Sequence, residues 1–120
     1  MNPEYKKMWI TALRSGEYSQ CNNKLKGDEG YCCLGVIEDV LRPITGHEWK
    51  YDGICFQYSI GTEGDASTLT QKTNELIELG SYVGQLPNFG DRTGGFLTLA
   101  VLNDSGFTFD QIADTIEYFL

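Results

Sequence analysis

The chain has 120 residues and carries a net charge of −8, from seventeen acids against nine lysines and arginines. One domain fits that length, and a composition 41% apolar and 12% aromatic excludes a disordered chain. The charge repels nucleic acid and anionic membrane and favours basic protein surfaces. No apolar run reaches the ~20 residues of a membrane span.

In chain order, Asn2-Pro3-Glu4 opens a helix: Asn2 caps, Pro3 suits the first position, and Glu4 meets the positive end of the dipole. Tyr5, Met8 or Trp9, Ala12 and Leu13 form its apolar stripe, with Trp9 a core anchor, and Ser15-Gly16 ends it. Residues 17–31 read as a turn or short hairpin, with strands near 18–21 and 31–33. A second helix, Leu34 to Leu41, buries Cys33, Leu34, Ile37, Val40 and Leu41 and turns Glu38, Asp39 and Arg42 outward; Pro43 stops it. Asp52-Gly53 between aromatic-rich runs predicts a hairpin. Trp49, Tyr51, Phe56 and Tyr58 along it are expected to pack a core rather than stack a base.

A helix follows at about 69–79, then loop markers over 81–94, then a short helix from Phe96 to Asn103. Thr108 caps the last helix with Gln111 as its capping-box partner, and Phe109, Ile112, Ala113, Ile116 and Phe119 form the apolar face. Asp110, Asp114 and Glu117 would face any DNA, which excludes a recognition helix. The fold class is α+β: one domain over residues 1–120, with three to five helices and a small antiparallel sheet or hairpins from 17–33 and 44–60. The first and last helices are expected to share a core through Trp9, Leu13, Ile112 and Ile116.

The N-terminus lacks a signal-peptide shape, so Cys21, Cys32, Cys33 and Cys55 are expected as reduced thiols in a cytosolic chain. Cys21, Cys32 or Cys33, His47 and Cys55 can be drawn as a zinc set, but no C-x2-C pair is present, and no metal or cofactor is assigned. Cys32 or Cys33 near a helix start, with His47 as base, can be drawn as a nucleophile. No cysteine-enzyme signature accompanies them, so a structural role is preferred and no catalytic residue is named. Anion binding has more to support it. Arg92-Thr93-Gly94-Gly95 precedes a helix, where free N–H groups and a guanidinium can hold a phosphate. Arg14 either complements the helix dipole or points with Tyr18 and Gln20 into a shared site.

The segments Ala12 to Gln20 and Cys32 to Val36 resemble the "A-L-R-S-G-x-Y-x-Q" and "C-C-L-G-V" patterns of a family of small proteins of tailed bacteriophages and their prophages. The C-terminal pattern of that family, "L-x-x-L-N-D-x-G-x-x-F-x-x-I-A-D-x-I-E", is similar to Leu99, Leu102, Asn103, Asp104, Gly106, Phe109, Ile112, Ala113, Asp114, Ile116 and Glu117. The resemblance covers both ends and implies an accessory phage protein in the host cytoplasm, by association an antagonist of host defence. The leading expectation is a non-enzymatic binder that sequesters an anionic nucleotide signal through Arg14, Tyr18, Gln20, Arg92, Gly94 and Gly95. The alternative is an acidic protein–protein inhibitor of a host defence protein, anti-CRISPR-like or a nucleic-acid mimic; a cysteine-dependent enzyme ranks third. Neither membrane nor direct nucleic-acid binding is expected, and a homo-oligomer is compatible with either binder.

Overall fold

The computed structural model describes residues 1–53, 57–61, 66–90 and 96–120. Among these it places six helices and two small antiparallel sheets, an α+β fold. Helix α1 spans Pro3–Arg14, and the Asn2 side chain accepts from the Glu4 and Tyr5 N–H groups at 2.9 and 3.3 Å. Gly16 follows at φ 77°, the left-handed turn that ends such a helix. Trp9 is fully buried, and its indole donates to the Cys33 carbonyl at 2.9 Å, so the ring anchors the core without stranding its N–H.

Helix α2 spans Cys33–Val40, and α3, Arg42–Thr45, follows directly. Pro43 therefore does stop α2, yet it also starts a new turn, because its fixed φ and missing N–H suit a helix start. Gly35 lies where Leu25 crosses α2: a Cβ there would collide with the Leu25 carbonyl oxygen. Only glycine allows that approach. The outward orientation expected for Glu38 is wrong. Its side chain is fully buried, and its Oε1 accepts from the Thr70 N–H at 3.1 Å and the Thr70 hydroxyl at 3.0 Å. The segment entering the next helix covers this face, and Thr70 supplies the bonds that burial demands.

Strands β1 (Lys26–Gly27), β2 (Lys50–Tyr51) and β3 (Gln57–Ser59) form a sheet in the order β1-β3-β2, with both pairings antiparallel. The Asp52-Gly53 turn lies between β2 and β3, as expected, with Gly53 at φ 74°. The expected strands near 18–21 and 31–33 are absent as strands; isolated bridges join Gln20 to Tyr31 and Lys26 to Tyr31. Helix α4 (Gln71–Ile77) is capped by the Thr70 hydroxyl, which accepts from the Thr73 N–H at 3.2 Å.

The stretch read as loop over 81–94 is loop through 84 and then holds β4 (Gln85–Gly90), which pairs antiparallel with β5 (Phe96–Thr98). Helix α5 (Leu99–Asp104) consequently starts three residues later than expected, with Thr98 as its cap. Helix α6 (Phe109–Phe119) carries the complete Thr108–Gln111 capping box. It packs on α1 and α5, so Trp9, Leu13, Leu102, Ile112 and Ile116 lie in one core. Each fully buried aliphatic side chain there stabilises by about 1.5–3 kcal/mol. No helix among the described residues is long and apolar enough to cross a membrane.

Candidate functional site

The sheet sets a row of side chains across one face. Lys26 lies opposite Tyr58, Tyr58 opposite Tyr51, and Lys26 bridges to Tyr31. Directly paired residues share a face, so Tyr31, Lys26, Tyr58 and Tyr51 line up from four separate segments. Trp49, just before β2, joins them: its ring centroid is 6.0 Å from that of Tyr31, which lies 5.1 Å from Tyr18. The Lys26 ammonium sits 4.5, 5.2 and 5.5 Å from the centroids of Tyr58, Tyr31 and Trp49. All three distances fall inside the roughly 6 Å reach of a cation–π contact. Of the hairpin aromatics expected to pack a core, Trp49 does pack against it, while Tyr58 is half-buried on the cation-holding face and Tyr51 is 49% exposed. Phe56 lies outside the described residues.

Asp39 joins this surface to a neighbouring cleft. Its Oδ2 accepts from the Tyr18 hydroxyl at 2.7 Å and its Oδ1 from the Trp49 indole at 2.9 Å. Arg42 Nη1 approaches the same carboxylate at 3.5 Å, while Arg42 Nη2 donates to Glu48 at 2.9 Å. The cleft, about 440 Å³, is lined by Tyr18, Asp39, Val40, Arg42, Pro43 and Glu48. Two carboxylates therefore face one guanidinium, and the local balance is acidic. Burial first, then the bond to Asp39, pushes the Tyr18 phenol far above its ordinary range. Burial and the field of Asp39 raise Tyr31 as well. Both phenols therefore stay neutral at physiological pH, and Tyr18 remains a donor to Asp39.

The residues expected to bind an anion have separate partners. Arg14 donates through Nη1 to Glu117 at 2.8 Å and through Nη2 to Asp114 at 2.6 Å, across the α1–α6 contact. It also lines a groove of about 350 Å³ with Pro3, Lys6, Lys7, Ile10, Thr11 and Glu117. Tyr18 serves Asp39 in the acidic cleft. Gln20 Nε2 donates to Asn103 Oδ1 at 2.9 Å and to the Phe107 carbonyl at 2.7 Å. Arg92, Gly94, Gly95 and Cys55 lie outside the described residues.

Asn103 is where the three sequence patterns converge. Its Oδ1 accepts from Gln20 and from the Cys33 N–H at 3.1 Å, and its Nδ2 donates to the Cys21 carbonyl at 2.8 Å. Asp104 Oδ1 accepts from the Asn23 N–H at 2.9 Å. A fully buried amide thus staples the 17–33 segment to α2 and α5.

Cys21, Cys32 and Cys33 are free, buried thiols. The lowered thiolate pKa considered for a helix start is not found. Burial outweighs the dipole, pushing Cys32 up to about 12 and Cys33 well above its usual range. Their sulfur partners are the Gly35 N–H and the Leu99 carbonyl, not His47. His47 instead lines a separate pocket of about 250 Å³ with Gly46, Glu48, Lys50 and Gly61. Among the described residues no group of three or more His, Cys, Asp or Glu side chains is placed to hold a metal ion.

Lys26, Tyr31, Asp39, Arg42 and Glu48 were not singled out from the sequence as site residues. The alternating aromatics of the hairpin were the available signal. What joins Lys26 and Tyr31 to them is long-range pairing, which leaves no local pattern.

No curated protein and no solved structure matches the chain. The family described as domain of unknown function (DUF8296) matches residues 1–120, and the chain belongs to that family.

Proposed function

We propose that this chain is a non-enzymatic binding protein that engages a basic surface on a protein partner. The resemblance to phage accessory proteins makes a host defence protein the class of target. The observation that carries the reading is the cleft at Tyr18, Asp39, Arg42 and Glu48, where two carboxylates face one guanidinium, continuous through Asp39 with a surface that already holds an ammonium group. A guanidinium or ammonium gains from carboxylates and ring faces together, whereas a phosphate would be repelled by both. The wider charge of −8 steers a basic partner toward the chain. The exposed acids Asp104, Asp110, Asp114 and Glu117 on α5 and α6 add to that field. Burial of Cys21, Cys32 and Cys33, which raises each thiol's pKa, weighs against a thiolate nucleophile at these three positions.

Affinity capture from host lysate, run with the wild type and with Glu48→Lys and Asp39→Asn variants, tests the proposal. A stoichiometric partner is expected with the wild type, weakened by either variant and by added salt. Calorimetry with cyclic di- and trinucleotides and cyclic ADP-ribose isomers forms the opposing arm. Saturable heat with one of these, together with capture indifferent to Asp39 and Glu48, would overturn the protein-partner reading. It would favour sequestration of an anionic nucleotide through Arg14, Tyr18, Gln20, Arg92, Gly94 and Gly95.

A further inference from the structure

We propose that Tyr31, Trp49 and Tyr58 form a recognition site for an alkylammonium group, occupied in the free chain by the protein's own Lys26 and taken in the complex by a lysine head group of the partner. The inference deepens the reading above by naming the chemical group recognised. It rests on that reading for the source of the cation and not for the cation site itself.

Three rings around one ammonium is an arrangement with a physical cause. Tyr58 and Tyr31 face Lys26 because of strand register and a backbone bridge, so their positions do not depend on the lysine side chain. Trp49 is oriented by the bond from its indole to Asp39. Donation to a carboxylate also pushes electron density into the indole ring, which strengthens its attraction for a cation. Asp39 is itself held by Tyr18 and Trp49 and pairs with Arg42 at 3.5 Å, which fixes the carboxylate that orients the indole. The side chains of Lys26, Tyr31, Trp49 and Tyr58 are each only partly buried, so an outside group can reach the ring faces once the lysine leaves. Lys26 competes from a tether, at the high effective concentration of an intramolecular ligand. The site in the wild type is therefore filled, and a partner must offer a cation backed by further contacts.

The test removes the resident cation. Lys26→Ala is titrated with tetramethylammonium while the two indole N–H resonances are followed by NMR. Trp9, bonded to the Cys33 carbonyl in the core, reports the native fold; Trp49 reports the site. The Trp49 signal of Lys26→Ala is expected to move saturably with Trp9 unmoved, and the wild type to need a roughly tenfold or higher concentration. Lys26→Met, whose neutral stem refills the space, should respond weakly. A trimethyllysine peptide should bind Lys26→Ala, and the same peptide with norleucine should not. In the wild type, ring currents should shift the Lys26 ε-methylene protons upfield, and Tyr58→Leu should reduce that shift. This last measurement decides the matter even if Lys26→Ala fails to fold. A native Trp9 signal with an unmoved Trp49 signal, or unshifted Lys26 protons in the wild type, would overturn the site. Binding of tetramethylammonium without the peptide would overturn the protein source of the cation. None of these outcomes depends on the lysate capture, so the site and the partner reading fail separately.

Discussion

Replacing Asn103 by alanine should be among the most damaging single changes in this chain. The amide is fully buried and ties three segments together. Truncation leaves the buried Cys33 N–H without its acceptor and the Cys21 carbonyl without its donor. Each stranded group costs about 1–3 kcal/mol. Gln20 keeps its bond to the Phe107 carbonyl, so its share of the loss is small. The sum is roughly 2–6 kcal/mol, against a total stability of about 5–15 kcal/mol for a domain of this kind. Gln20→Ala removes only a partly exposed donor and should cost about 0.5–1.5 kcal/mol. Urea unfolding followed by tryptophan fluorescence measures both, and the midpoint should fall with the slope unchanged. The double variant should lose less than the sum, because both changes remove the same bond. The reasoning is refuted if Asn103→Ala costs no more than Gln20→Ala.

Other predictions follow from burial and caps. Glu38 has its pKa raised from its ordinary 4.5, first by burial and against the bonds from Thr70. The folded state thus holds its proton more tightly, and stability from this group is complete below pH 4.5 and lost as pH rises through the folded value. Melting temperatures of wild type and Glu38→Gln measured across pH should show the variant gaining on the wild type as pH rises; parallel curves would contradict this. Cys21, Cys32 and Cys33 should resist iodoacetamide in the native protein at neutral pH and react in urea, read by mass spectrometry; rapid native labelling of Cys32 or Cys33 would be the contrary result. Gly35→Ala should cost about 3 kcal/mol or more or prevent folding, because its Cβ meets the Leu25 backbone; near-native stability in a denaturant titration would show that the backbone yields. Thr108→Ala should cost about 0.5–2 kcal/mol in the same assay and leave partner capture by the folded protein unchanged.

The elements legible in the sequence are those whose cause is local. Asn2 and Thr108 cap because a side-chain oxygen reaches an N–H two or three residues on, and such spacing is written in the chain. The apolar stripes through Trp9, Leu13, Ile112 and Ile116 follow from helical period, so α1, α6 and their shared core could be read in advance. The Asp52-Gly53 turn and the α+β class follow for the same reason. Tertiary structure alone decided the rest. Glu38 is polar, so its type suggests an outward position, yet α2 is buried on that side and Thr70, 32 residues away, covers it. Asn103 finds Cys33 and Cys21 across 70 and 82 residues, so its role as a staple has no local mark. Lys26 meets Tyr58 and Trp49 only through strand pairing, and Arg14 turns to α6 because two carboxylates there offer stronger partners than its own helix end. Polar side chains have short reach and several available partners, and the choice among them is made by which distant segments the packed core brings within about 3 Å.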